Sequence, residues 1–152
     1  MNDTVVARPC WTVLAQKAED KIAAIQNELA FTRKHLAGLQ SSEARVQTMY
    51  EEYRDGLTQT DKQSVGMREA MNQRQFMSQL LTLLQRVRTD IQYTENALMG
   101  IKERLLAAER ERIKMQTLAD QNAQAVQKAE SKKDQRRMDA LGVMQFNLKP
   151  QP

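Results

Sequence analysis

The chain contains few side chains of the kinds that carry out catalysis or bind metals. It has one histidine, His35, and one cysteine, Cys10. His35 has no Cys, Asp or Glu at metal-ligand spacing, and Cys10 is not part of a Cys-x-x-Cys motif. The sequence also lacks a phosphate-binding glycine loop, a dinucleotide fingerprint and a convergent Ser/His/Asp set. We therefore expect a protein that is not an enzyme and that uses no metal or cofactor.

A basic cluster near the C-terminus is the other group of residues that could have a chemical role. Its four cations lie within six residues, and acidic residues are interspersed among them. A solvated helix face and a steered contact with an acidic ring or lumen both account for this pattern. Nucleic acid is a weaker interpretation, because no stacking platform or groove-reading motif accompanies the charge. The cations are Lys132, Lys133, Arg136 and Arg137, and the acids are Glu130, Asp134 and Asp139.

The composition favours long helices over a globular core. Among 152 residues, aromatics make up 5%, with five glycines and three prolines, so we expect a single all-α domain. The net charge of +4 is mildly basic and compatible with an acidic partner. A single cysteine suits a reducing cytosol, and no apolar run approaches the roughly 20 residues of a membrane span. We expect a cytoplasmic protein without direct membrane insertion.

A continuous heptad pattern begins at Trp11 and predicts a first helix over about residues 9–57, preceded by a flexible segment, 1–8. Thr32 and Glu43 are the only interruptions among its 14 core positions. These positions are Trp11, Ala15, Ala18, Ile22, Ile25, Leu29, Thr32, Leu36, Leu39, Glu43, Val46, Tyr50, Tyr53 and Leu57.

Residues 58–68 form a polar break and predict a loop. A second heptad pattern then predicts a helix over about 69–141, with Thr94, Arg112 and Asn122 as its interruptions. Gly142 resembles a helix C-cap, so residues 142–152 are expected to be a flexible tail.

Two long heptad helices joined by a short loop must fold into an antiparallel coiled-coil hairpin with a longer second helix. A loop centred near residue 63 pairs residue i with about 126 − i, which places Thr32 opposite Thr94 and Trp11 near Met115. Roughly 25 residues of the second helix then extend beyond the first. An apolar stripe on this extension, comprising Leu118, Ala119, Ala125, Val126 and Ala129, is expected to lie uncovered and must fray, dimerise or dock.

The start of the second helix, residues 72–87, is apolar on more than one stripe. Met77, Leu80, Leu84 and Val87 form the core line. Phe76, Leu81 and Leu83 flank it, at positions where a two-stranded coiled coil normally carries charge. Such a segment is either unusually thick coiled-coil packing or a surface for a partner.

Four short motifs lie at Leu14–Asp20, Glu52–Arg54, Asn72–Phe76 and Lys133–Asp139. Together they resemble the FliJ family, whose members are small coiled-coil proteins of the bacterial flagellar type III export apparatus. The resemblance implies an antiparallel coiled coil similar to the central stalk of rotary ATPases. It also implies binding to the hexameric export ATPase, to the export gate membrane protein and to export chaperones, at the cytoplasmic face of the inner membrane.

The resemblance further implies two sets of binding residues. The export-gate set is Val46, Met49, Tyr53, Phe76, Leu80, Leu83 and Val87, and the ATPase set is Leu14, Ala18, Ile22, Lys132, Lys133, Arg136, Arg137 and Met138. Three other interpretations stay open: the equivalent stalk protein of a virulence injectisome, a structural coiled coil that self-associates through residues 116–141, and a nucleic-acid-binding rod.

Overall fold

The structure is a computed structural model that describes residues 7–62 and 66–148. Two helices account for almost all of this part of the chain: α1, Pro9–Lys62, and α2, Met67–Leu148. They pack against each other, and the described ranges contain no strand. This confirms the predicted helical hairpin with a longer second helix. In the described ranges, neither helix includes a stretch long and apolar enough to cross a membrane.

The connection between the helices is shorter than the predicted loop at 58–68. α1 continues to Lys62. In its last turns the Thr58 hydroxyl donates a hydrogen bond to the Arg54 carbonyl. α2 begins directly after Gly66, whose carbonyl accepts hydrogen bonds from the amides of Glu69 and Ala70. The Glu69 carboxylate in the first turn favours helix formation there, because it lies near the positive end of the helix dipole. Residues 58–62 and 67–68 of the predicted loop are therefore helical, and residues 63–65 lie outside the described residues.

The second helix also continues past its predicted end at residue 141, to Leu148. Gly142 is an interior helix position and not a C-cap. One glycine within a helix costs only about 1 kcal/mol relative to alanine. The leucine, methionine and glutamine residues around it are good helix formers, and no proline follows before Pro150. Residues 142–148 of the predicted flexible tail are therefore helical, whereas residues 1–6 and 149–152 lie outside the described residues.

The chain divides into two compact units, and the first comprises residues 24–105. Its core is the helix–helix seam predicted from the heptads. Thr94 is buried in the seam, and its hydroxyl donates a 2.7 Å hydrogen bond to the Asp90 carbonyl. The polar interruption is thereby satisfied within its own helix. The buried apolar residues of this unit are Ile25, Leu29, Val46, Leu80, Leu84, Val87 and Ile101.

Cross-helix pairs in this unit define the register. The numbers of the partners add to 131 in the Arg88–Glu43 ion pair and to 132 in Arg104–Glu28, instead of the predicted 126. Because α1 extends farther into the expected loop than α2 does, the centre of the connection lies later in the chain than residue 63, and the pairing shifts by five to six residues. The predicted layer of Thr32 with Thr94 was wrong, since these sums make Thr32 level with residues 99–100.

The second unit combines Met1–Ala23 with Leu106–Pro152. Its buried residues are Ala15, Ala18, Ile22 and Ala108. The Arg8 amide donates a 2.9 Å hydrogen bond to Oδ1 of Asn122, which accounts for the polar residue at a core position of α2. Their numbers add to 130, within two residues of the sums in the other unit.

The uncovered part of α2 begins later than predicted. Residues 7–12 line a groove with residues 119–130, and the stripe expected to be bare, from Leu118 to Ala129, is half-buried. From Ser131 to Leu148 every residue is exposed. We call residues 131–148 the overhang, and at 1.5 Å per residue it is about 27 Å of helix.

Candidate partner-binding surfaces

The residues of the export-gate set lie in the unit formed by residues 24–105, but only some are accessible. Val46, Leu80 and Val87 are 8%, 5% and 8% exposed, so they belong to the helix–helix core. Their side chains pack inside the hairpin and leave little exposed area for a partner to contact. The heptad pattern had placed all three at core positions, and only the family resemblance placed them in the gate set.

The accessible residues of this set surround one aromatic contact. The rings of Tyr53 and Phe76 are 4.7 Å apart at an interplanar angle of 53°. Phe76 is half-buried and packs against the core cluster around Leu84, whereas Tyr53 is exposed. Tilted aromatic pairs of this kind add about 0.5–1.5 kcal/mol beyond area burial. We call Met49, Tyr53, Phe76 and Leu83 the aromatic surface, because three of its members are exposed and the fourth fixes Tyr53.

A shallow cleft of about 240 Å³ lies beside Tyr53, lined by Glu52, Gly56 and Gln73 as well. The side-chain oxygen of Gln73 is buried and has no hydrogen-bond partner among the described residues. A buried acceptor without a donor is unfavourable by roughly 1–3 kcal/mol. A donor from a bound partner would relieve that cost. Sequence reasoning missed Gln73, although it lies one heptad before Leu80, because the core line was counted only from Met77.

The cationic residues of the ATPase set lie on the overhang. Lys132, Lys133, Arg136 and Arg137 are all exposed, and none forms an ion pair with another described residue. Two of them, with Lys128, line an open groove of about 440 Å³. Their positive charge is thus available to a partner.

The overhang also carries an apolar face. Met138, Leu141, Met144 and Leu148 follow one another at spacings of three, three and four residues, which places them on one side of a helix. All four are exposed, with Met138 at 71%. Sequence reasoning found Met138 alone, since the rest of this face lies at or beyond the end predicted for the helix. The missing signal was the run of helix-forming residues that continues past Gly142.

The α1 members of the ATPase set are not next to the cations. Ala18 and Ile22 are buried in the core of their unit, and Leu14 is partly exposed. In the observed register Leu14 is level with residue 116 of α2, about 24 Å along the helix from Lys132. The prediction that α1 and α2 contribute to one ATPase-binding surface came from the family resemblance and not from the register. The structure does not bring the two parts of this set together.

The two residues singled out for chemistry are both exposed. Cys10 is a free thiol, and His35 lies on the outer face of α1. Across the described ranges, no three His, Cys, Asp or Glu side chains are grouped so that they could hold a metal ion.

A comparison of the sequence with family models matches residues 12–151 to the family described as Flagellar FliJ protein. The match covers both helices and nearly the whole chain. No curated protein and no solved structure gives a significant match.

Proposed function

This chain belongs to the FliJ family of flagellar proteins, and from that premise we propose that it is a non-enzymatic, stalk-like rod that binds the hexameric export ATPase and the export gate membrane protein. Family membership confirms the resemblance in the motifs and makes the protein a component of the flagellar export apparatus. It also favours this role over the virulence injectisome. The partners, the delivery of substrates with export chaperones and the location at the inner membrane are our proposal.

The overhang is the observation that supports this proposal most strongly. A lone helix gains stability in water mainly when its apolar face is packed against another surface. Residues 131–148 have no such surface among the described residues, yet four large apolar side chains share one face. A partner that encloses the overhang would bury that face.

Charge and apolar area would then have separate roles in binding the ATPase. The cations Lys132, Lys133, Arg136 and Arg137 would steer the overhang towards an acidic ring and raise the association rate. The Met138 face would supply the buried contact that slows dissociation. Added salt should weaken this binding only partly, because salt screens the charges and leaves the apolar contact in place.

The aromatic surface is the proposed contact for the export gate. Tyr and Phe are suited to this because they bury a large area with few rotatable bonds. The Tyr53 ring is already held by Phe76, so little conformational freedom is lost on binding. Gln73 would accept a hydrogen bond from the same partner.

The ATPase contact is tested by co-purification with the export ATPase, using the chain with and without residues 131–152. A double variant, Met138→Asp with Leu141→Asp, tests the apolar face without removing the helix. We expect each change to weaken binding roughly tenfold or more, since a buried apolar anchor is lost. Met99→Asp is the matched control, because Met99 is 63% exposed on the same helix but outside the overhang. Undiminished binding by the double variant would contradict the proposal.

The same apolar face also favours a second candidate function, a structural coiled coil that self-associates through the overhang. Sedimentation of the protein alone distinguishes the two. The export proposal expects a monomer that adds to ATPase hexamers. A dimer that Met138→Asp dissociates would support self-association instead.

A further inference from the structure

A groove on the outer face of α1 belongs to neither of the surfaces assigned above. Phe31 lies at its N-terminal end and is 75% exposed. Phe31, His35, Gly38, Ser42 and Arg45 follow at alternating spacings of four and three residues. That spacing makes a second line along the helix, beside the core line that packs on α2. The groove measures about 520 Å³ and is lined by Phe31, Lys34, His35, Gly38, Leu39, Ser42 and Arg45.

The middle of the groove has room for an incoming side chain. A Cβ atom built on Gly38 would meet no other atom within 4 Å. The glycine therefore leaves an open gap, bordered by the apolar side chains of Phe31 and Leu39. A helix laid along α1 at this point could insert a leucine-sized side chain above Gly38.

The groove is positively charged. Lys34 and Arg45 line it, and no acidic residue does. The nearby acids Glu28 and Glu43 form ion pairs with Arg104 and Arg88 of α2, so their charges are already offset. Neither Lys34 nor Arg45 forms an ion pair within the part of the chain that the structure describes.

We propose that this groove docks an acidic amphipathic helix of a partner protein, with an apolar side chain in the gap above Gly38. From Phe31 to Arg45 the groove extends about 21 Å, which a helix of about 14 residues would span. Acidic side chains of the partner would lie beside Lys34 and Arg45. The interface is small and open, so the complex is a weak and transient one. The site is additional to the proposed ATPase and gate contacts and does not depend on them.

A second copy of the chain fits this groove poorly. A two-fold symmetric dimer would place the groove against itself, and Lys34 and Arg45 of one copy would face the same cations of the other. Nucleic acid fits poorly as well. Two cations over this length neutralise few phosphates, and a gap between apolar side chains offers nothing to a phosphate backbone.

Binding of two designed helical peptides, each of 18 residues, tests the proposal. Both carry leucine along one face; the first has glutamate on its other positions and the second has lysine. Fluorescence anisotropy at physiological salt measures their affinity for the full chain. We expect the glutamate peptide to bind and the lysine peptide not to bind. Equal binding of the two peptides, or none of the glutamate peptide, would overturn the proposal.

Gly38→Leu fills the gap and separates docking from stability. Removing a helix-interior glycine favours the helix, so a purely structural role predicts a more stable protein with unchanged peptide binding. We expect the stability to rise and the affinity for the glutamate peptide to fall roughly tenfold or more. Gly100→Leu is the matched control: a Cβ at Gly100 also meets nothing within 4 Å, but Gly100 is outside the groove. Loss of binding in both variants, or in neither, would contradict the assignment.

A charge reversal at Lys34→Glu with Arg45→Glu completes the test. The double variant should lose the glutamate peptide and gain affinity for the lysine peptide, because the sign of the groove is inverted. If the double variant still binds the glutamate peptide more tightly than the lysine peptide, the groove does not recognise charge and the proposal is wrong. If sedimentation instead shows a dimer that Gly38→Leu dissociates, the occupant is a second copy and the proposal is wrong.

Discussion

Phe76 has two roles, which its half-buried position allows. One face of the ring packs on the core cluster of Val46, Leu80 and Leu84, and the ring also fixes Tyr53 at the surface. Removing the ring therefore affects both folding and the proposed gate contact. The two effects can be separated, because stability is measured without a partner.

Phe76→Ala is expected to reduce binding to the cytoplasmic domain of the export gate roughly tenfold or more, since Tyr53 loses its support. Its cost in stability should be about 1–2 kcal/mol, below that of a fully buried phenylalanine. Calorimetry measures the binding and urea unfolding measures the stability, while circular dichroism should show nearly unchanged helicity. Tyr93→Ala, which removes a ring that is 77% exposed on the same helix, is the control and should change neither. Gate binding at wild-type strength by Phe76→Ala would rule out this surface.

Two neighbouring leucines should differ sharply in their effect on stability. Leu84 is 3% exposed in the core, and Leu83 is 44% exposed beside it. Leu84→Ala should lower the free energy of unfolding by about 2–4 kcal/mol through lost burial and a cavity. Leu83→Ala should cost less than about 1 kcal/mol. Urea titrations of both variants check the difference, and similar midpoints would show that the register is incorrect here.

At the scale of the helices, ion pairs between α1 and α2 accompany the apolar seam. Arg104 donates a 2.6 Å hydrogen bond to Glu28, and Arg88 donates a 3.0 Å hydrogen bond to Glu43. Both pairs are partly exposed, so each contributes modestly to stability. Their greater effect is on specificity, because a shift by one turn would separate every such pair.

A double-mutant cycle on Glu28 and Arg104 is expected to give a coupling free energy of about 0.2–1 kcal/mol. Thermal or urea unfolding of Glu28→Ala, Arg104→Ala and the double variant provides the values. The coupling should decrease at 1 M salt, where exposed charges are screened. The exchanged pair, Glu28→Arg with Arg104→Glu, should recover most of it. Zero coupling at low salt would place the two side chains apart in solution.

The sequence predicted the two helices, the hairpin and the greater length of α2, because a heptad pattern reports directly on which residues are buried. It could not fix the register, since a helical seam repeats every turn and the loop length decides the pairing. The polar residues 58–62 and Gly142 were misread as helix ends. A few polar residues or one glycine disfavour a helix only slightly, so the helix continues through them. Asn122 looked like an interruption, although it accepts a hydrogen bond from the Arg8 amide.

The extension of α2 past Gly142 is itself testable. Gly142→Pro should break the helix, since proline in a helix interior costs about 3 kcal/mol or more. Amide hydrogen exchange in residues 143–148 should then become faster, whereas Gly142→Ala should slow it. If neither substitution alters exchange in this segment, the helix ends earlier in solution than Leu148.

At the scale of the whole molecule, we propose two partner surfaces, one in each of the two units of the chain. The aromatic surface belongs to residues 24–105 and the overhang to the unit that contains both termini. Membership of the FliJ family connects such a protein to flagellar export. The family resemblance implies which surface contacts the gate and which contacts the ATPase, and we propose that assignment because apolar area and charge are left exposed at both places.

Hydrogen exchange of the full chain, alone and bound to each partner, tests that assignment most directly. With the export ATPase, exchange should slow across residues 131–148 and stay unchanged around Tyr53 and Phe76. With the cytoplasmic domain of the export gate, the pattern should be the reverse. Protection of the same residues by both partners, or an overhang that exchanges as fast in the ATPase complex as in the free protein, would contradict the account.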